Sequence, residues 1–209
     1  MTEKAAERAY AYTKDRIIRG HLAGGERLSE GQICAELAIS RTPVHEAFLR
    51  LESERLITLS SRQGATVNPV PVSEAADVLE MRGILERTAA VRVADRRRDA
   101  AEIDAALREP LERQRSAMTE RDVDAFVEAD CDFHAAVVGL AGNPLATHFF
   151  GLLRDRQLRL AYLVLTSSDV MLAESFADHQ DLADRLRTHD APGYDAILAR
   201  HLARHQGLL

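Results

Sequence analysis

Asn68-Pro69-Val70-Pro71-Val72-Ser73 divides this chain. Two prolines in three positions disfavour helix and cannot both serve an interior strand. Ser73 is a good helix N-cap, and Glu74 and Asp77 place acid in the turn that would follow. A boundary near residue 70 is therefore predicted, with units of residues 1–70 and 71–209. Charge divides at the same place: the first 70 residues carry a net +1, the remainder −7. An acidic average thus hides a more basic N-terminal part, which leaves room for a polyanionic partner. At 209 residues and 46% hydrophobic, the chain can bury a sizeable core. No apolar run approaches the ~20 residues of a bilayer span, and the N-terminus lacks a signal-peptide layout. Two cysteines, Cys34 and Cys131, are too few for a disulfide framework. A soluble protein of the reducing cytoplasm, with no membrane partner, is expected.

Upstream of the prolines, three helices and a hairpin are predicted. The first covers about 5–19, with Tyr10, Tyr12, Ile17 and Ile18 inward, and stops at Gly20. Ser29-Glu30-Gly31-Gln32 has the spacing of a capping box, in which Ser29 and Gln32 satisfy each other's backbone N–H groups. A tight turn at Ala38-Ile39-Ser40 leads to a third helix that buries Val44, Phe48 and Leu51. Ile57-Thr58-Leu59 and Ala65-Thr66-Val67 alternate like strands around a loop containing Gly64. Two short helices, a three-residue turn and a hairpin describe a winged helix-turn-helix. The third helix turns Arg41, Thr42, His45, Glu46 and Arg50 away from its apolar stripe, and arginine can clamp a guanine edge. Arg62, in the hairpin loop, is placed to reach a phosphate or the minor groove.

Gly20 to Glu30, Ile39 to Leu51 (ISRTPVHEAFLRL) and Arg62 to Val67 (RQGATV) together resemble the DNA-binding domain of GntR-type bacterial transcription regulators. That resemblance implies that Arg27, Arg41, Thr42, Arg50 and Gly64 serve DNA contact or wing geometry. Four positions depart from the family's pattern. His45 stands where an arginine usually follows Pro-Val, and Gly24 stands where proline is usual, predicting a looser linker. Ala38 and Arg55 stand where glycine is common.

Downstream, spans of about 73–97, 99–118, 122–141, 144–166, 170–188 and 193–206 read as helix, a mainly α antiparallel bundle of six or seven helices. Residues four apart share a helix face, so Asp130/His134 and His201/His205 are each a potential two-ligand clamp. Phe126, Phe133 and Val137 surround Asp130 and His134 with apolar residues, so that polar pair needs a partner. His179 lies among Phe176, Leu182 and Leu186; His201 lies beside Ile197, Leu198 and Leu202. One carboxylate and three imidazoles suit zinc, nickel or manganese.

The bundle resembles the FadR-type C-terminal domain, in its metal-binding FCD group, through Asp130-Cys131-Asp132-Phe133-His134, Leu140-Ala141-Gly142-Asn143-Pro144, Asp178-His179-Gln180 and Arg200-His201-Leu202. It implies Asp130, His134, His179 and His201 as ligands of a divalent metal, with His205 nearby on the surface. Arg82 matches a position where that group carries a cavity-lining arginine; a surface ion pair with Glu86 is its simpler reading. The expectation is a homodimeric, operator-binding regulator, a repressor, controlled by a small carboxylate at the metal. There is no His-Glu-x-x-His, nucleophile elbow or phosphate-binding glycine loop to support an enzyme. A metal-dependent enzyme acting on a small carboxylate and a regulator with a purely structural metal are the alternatives.

Overall fold

The computed structural model describes residues 2–60, 64–166 and 169–207, with backbone alone at Thr2 and Asp169. The chain forms two compact units, Met1–Pro71 and Val72–Leu209.

The first unit contains α1 (Thr2–Ile18), β1 (Arg27–Leu28), α2 (Glu30–Leu37), α3 (Arg41–Ser53), β2 (Ile57–Ser60) and β3 (Gly64–Val67). The strands form an antiparallel sheet ordered β1-β3-β2. Tyr10, Ile17, Ile33, Val44, Phe48 and Leu51 meet Leu28, Ile57 and Val67 in one core. Each fully buried side chain of that size contributes about 1.5–3 kcal/mol. β1 was not predicted: Arg27-Leu28 is too short to show alternation, yet Leu28 is buried and Arg27 pairs with Thr66.

Two local expectations are corrected. Ser29 accepts from Gln32 N at 3.1 Å, but the Gln32 side chain donates to Glu36 instead of completing the box. Gly24 does not loosen its loop. A Cβ there would stand 2.8 Å from Pro69 Cα, and paired backbone bonds, Gly25 N to Val67 O and Val67 N to Glu26 O, strap the loop to β3. Ala38 and Arg55 both hold left-handed backbone, at φ 53° and 59°.

The second unit is α4 (Val72–Asp95), α5 (Ala100–Glu120), α6 (Val123–Leu140), α7 (Pro144–Leu152), α8 (Arg154–Leu165), α9 (Asp169–Arg187) and α10 (Ala191–Gln206). α4 begins one residue before Ser73, which therefore lies inside the first turn. Asp99, Asp122, Asn143 and Asp190 cap the helices that follow them, each accepting from a backbone N–H. The expected single helix over 144–166 breaks at Leu153, making seven helices in this unit among the described residues. α6 packs against α4, α5, α7 and α8. Phe126, Phe133, Val137 and Val138 are wholly buried there, together with Asp130 and His134. The fold is thus a winged helix-turn-helix followed by an all-helical bundle.

Candidate functional site

A carboxylate and three imidazoles converge inside the bundle. Asp130 and His134 sit one turn apart on α6, His179 comes from α9 and His201 from α10. One ligand-grade atom of each lies within 4.8 Å of all the others, and all four residues are buried. The Nε2 atoms of His134 and His179 are 3.0 Å apart; His179 Nε2 is 3.4 Å from Asp130 Oδ1. Phe133 stacks on the His179 ring at 4.5 Å, fixing its plane.

The outer nitrogens determine what the inner ones can do. His134 Nδ1 donates to Glu86 Oε2 at 2.8 Å, and His179 Nδ1 donates to Gln114 Oε1 at 2.7 Å. A carboxylate and an amide oxygen only accept, so both protons are assigned to Nδ1. Both Nε2 atoms then turn lone pairs inward, 3.0 Å apart; Arg82 Nη2 meets that of His134, and Asp130 Oδ1 lies 3.4 Å from that of His179. Asp130 Oδ2 is buried without a hydrogen-bond partner among the described residues. This donor set fits a divalent ion: three neutral nitrogens, one oxygen, and outer-sphere acceptors that orient the rings.

Burial pushes the Asp130 carboxyl up to about 6, against the opposing pull of Arg82 and Ser175. Burial, reinforced by the Arg82 charge, holds His134, His179 and His201 well below the usual imidazole range, which keeps them neutral. Neutral imidazole is the metal-ligating form. Cys131 is no competitor, since burial and the Asp130 charge push its thiol far up.

Arg82 is buried and reaches this cluster from α4. Its Nε donates to Glu86 at 2.9 Å, and Nη2 contacts His134 Nε2 and, at 3.0 Å, His201 Nε2. The expected i,i+4 pair with Glu86 thus forms, but buried and not on the surface. Glu86 also accepts from Tyr194 Oη at 2.9 Å. His201 Nδ1 faces Asp178 Oδ2 at 3.4 Å, and Arg200 and Arg204 hold that carboxylate. His205 is buried rather than on the surface: it is 2% exposed, its ring lies 4.7 Å from that of His201, and its Nε2 lacks a partner among the described residues. Gln114, Asp178 and Tyr194 were not singled out from sequence, because their role depends on which helices become neighbours.

In the first unit, α3 exposes Arg41, Thr42, His45 and Glu46. A cleft of about 550 Å³ opens between the start of α2, α3 and the strands, lined by Glu30, Arg41, His45, Ser60 and Gly64. Gly64 has φ 82°, and a Cβ would stand 2.8 Å from Leu28 O, so glycine is required where β3 crosses β1. Arg27 is exposed on β1. Arg50 turns toward α1: its guanidinium lies 3.5 Å from the Tyr10 ring centroid and donates to Glu7 at 2.8 Å. Arg62 lies outside the described residues.

A winged helix-turn-helix followed by a helical bundle with a buried cluster of ligand-type side chains is the architecture of a bacterial transcription regulator. The chain belongs to the GntR family and carries an FCD domain. Residues 5–67 match "Bacterial regulatory proteins, gntR family" and residues 77–204 match "FCD domain". Among curated relatives, the HTH-type transcriptional repressor RspR of Escherichia coli (strain K12) is 24% identical over 96% of this chain and 87% of its own length. The gluconate operon transcriptional repressor of Bacillus licheniformis is 28% identical over 81% of this chain and 67% of its own. A GntR transcriptional regulator from Rhodococcus sp. RHA1 shares the fold, with a TM-score of 0.77, 23% identity and coverage of 97% and 95% of the two chains. Family and relatives alike mark a transcriptional regulator, not an enzyme. Among the described residues no helix is long and apolar enough to cross a membrane.

Proposed function

We propose that the chain is an operator-binding repressor, working as a homodimer, whose DNA affinity is set by a small carboxylate bound beside a metal held by Asp130, His134, His179 and His201. One observation carries this reading: ligand-type atoms of Asp130, His134, His179 and His201 all lie within 4.8 Å of one another, and all four residues are buried. The bound metal supplies a Lewis-acidic position for an anionic ligand, and zinc, nickel and manganese all suit three nitrogens and one oxygen. Arg82, already at the Nε2 atoms of His134 and His201, is the cation that holds the ligand's second oxygen. The repressor sense follows the names of the relatives.

At the DNA, Arg41, Thr42, His45 and Glu46 take the base edges and nearby phosphates, while Arg27 and Arg62 take backbone. Gly64 shapes the wing, and Arg50, packed on Tyr10, holds α3 at its angle. The homodimer is supported by two exposed apolar stripes on adjoining helices: Met81, Ile84 and Val91 on α4, and Leu145, Phe149 and Leu152 on α7. A second copy burying these faces would pair two reading heads about one two-fold axis.

The test is operator affinity, read by fluorescence anisotropy on the chain's own upstream DNA, with metal, with chelator and with a panel of small carboxylates. A matching carboxylate is expected to weaken binding about 5–150-fold, the range of a ~1–3 kcal/mol coupling, and only when metal is present. If chelation lowers the melting temperature while no carboxylate changes DNA affinity, the metal is structural and the sensor reading fails.

A further inference from the structure

The DNA face carries a side-chain pair that restricts what one of its residues can read. His45 lies one turn after Arg41 on the exposed side of α3, and its Nδ1 is 2.6 Å from Glu30 Oε1. Glu30 is the first residue of α2, a position fixed by the Ser29 cap, so its carboxylate is anchored on a separate element of the motif. The His45 side chain is 56% exposed, whereas that of Glu30 is 31% exposed. His45 therefore stands outward and Glu30 backs it. Both line the cleft that also holds Arg41 and Gly64.

We propose that Glu30 fixes the tautomer of His45, so that His45 reads one base of each operator half-site through Nε2 acting as an acceptor. The inference rests on the DNA-face assignment made above. An ionised carboxylate has no proton to give, so the Nδ1 atom it contacts carries the hydrogen. The neutral ring is then left with a lone pair on Nε2, the atom turned away from Glu30. In the major groove, adenine N6 and cytosine N4 donate, whereas guanine N7 and O6 and thymine O4 only accept. His45 thus selects adenine or cytosine with one hydrogen bond, where an arginine would clamp guanine with two. One neutral hydrogen bond gives a preference of roughly 2- to 10-fold.

The full-length protein is tested at pH 8 by enrichment from operator DNA randomised around each half-site. The wild type is expected to enrich adenine or cytosine about 2- to 10-fold at one symmetric position. His45→Ala should flatten that position alone, and His45→Arg should move it to guanine. Glu30→Ala, which frees the ring to exchange tautomers, should bring the preference below about twofold while total DNA binding persists. Guanine enriched by the wild type at that position would overturn the proposal, because Nε2 would then be donating. An unchanged profile in His45→Ala would overturn it as well. Loss of selectivity at every position, in wild type and His45→Arg alike, would overturn the DNA-face assignment itself and this inference with it.

Discussion

Gln114 offers the sharpest test of the metal-centre argument because it touches the centre only through His179. It is wholly buried on α5, accepts from His179 Nδ1 at 2.7 Å and donates to Ala129 O at 3.2 Å. Gln114→Ala strands a buried Nδ1–H, a loss of about 1–3 kcal/mol. It also removes the reason for His179 to keep its proton on the outer nitrogen. With the proton free to move to Nε2, the inner lone pair is lost for part of the population. Loss of such an outer partner typically costs 10–100-fold in metal affinity, or about 1.4–2.7 kcal/mol, within the range of the stranded-donor penalty. Competition between the protein and a zinc chelator at fixed pH gives the affinity, and melting with and without zinc gives the linked stability. Gln114→Ala should bind zinc 10–100-fold more weakly and show a smaller zinc-induced rise in Tm. Gln114→Glu, which keeps an acceptor at nearly the same volume, should bind more tightly than the alanine variant. A folded Gln114→Ala protein with wild-type zinc affinity would refute the claim that the outer acceptor prepares the inner lone pair.

Three further outcomes are expected. His134→Ala removes one of the four donors and leaves Glu86 without its imidazole partner, so metal content after dialysis should fall well below one ion per chain; full retention would reject this ligand set. In chelator, stability should fall as pH drops below about 6.5: burial keeps His134, His179 and His201 neutral in the native state, while the unfolded chain takes up their protons. Each imidazole then costs about 1.4 kcal/mol per pH unit. Asp130, between about 4 and 6, and Glu86, also pushed up by burial, oppose this because their native carboxyls keep protons that the unfolded chain releases. Burial holds His205 down as well, however, and four imidazoles outweigh two carboxyls. Urea midpoints at pH 7.5 and 5.5 decide the matter, and a midpoint that holds or rises in acid would count against it. Ala38→Gly and Arg55→Gly should each stabilise the DNA-binding unit by about 0.5–1 kcal/mol, since both residues hold left-handed backbone that glycine adopts without the Cβ penalty. Calorimetry should show a higher Tm, and a lower one would mean the native side chains contribute more than the strain costs.

Sequence made visible whatever is decided within a few residues. The Ser29 cap, the Val44/Phe48/Leu51 stripe, the wing strands and the paired prolines all announce themselves through spacing or turn chemistry. Asp130 and His134 could be paired by helical periodicity, but nothing local joins them to His179 and His201; only the family resemblance supplied that link. The outer partners stayed hidden for the same reason. Gln114 resembles any polar residue of a helix until α5 and α9 are seen side by side. The break at Leu153 also lacks a strong signal, with only Gly151 nearby and no proline. Strain at Ala38 and Arg55 is legible merely as two missing glycines, and a glycine at 24 suggests slack because the backbone bonds from Gly25 and Glu26 to Val67 have no local signal.

The donors come from three helices, and His134 and His179 alone are 45 positions apart. An ion bound by all of them would act as a rivet through the bundle, closing long loops in the unfolded chain and opposing the release of α10. Fraying at the C-terminal end would then have to break coordination first. Proteases and hydrogen exchange should therefore meet a single lock in the loaded protein, where the stripped protein offers a door already ajar at α10.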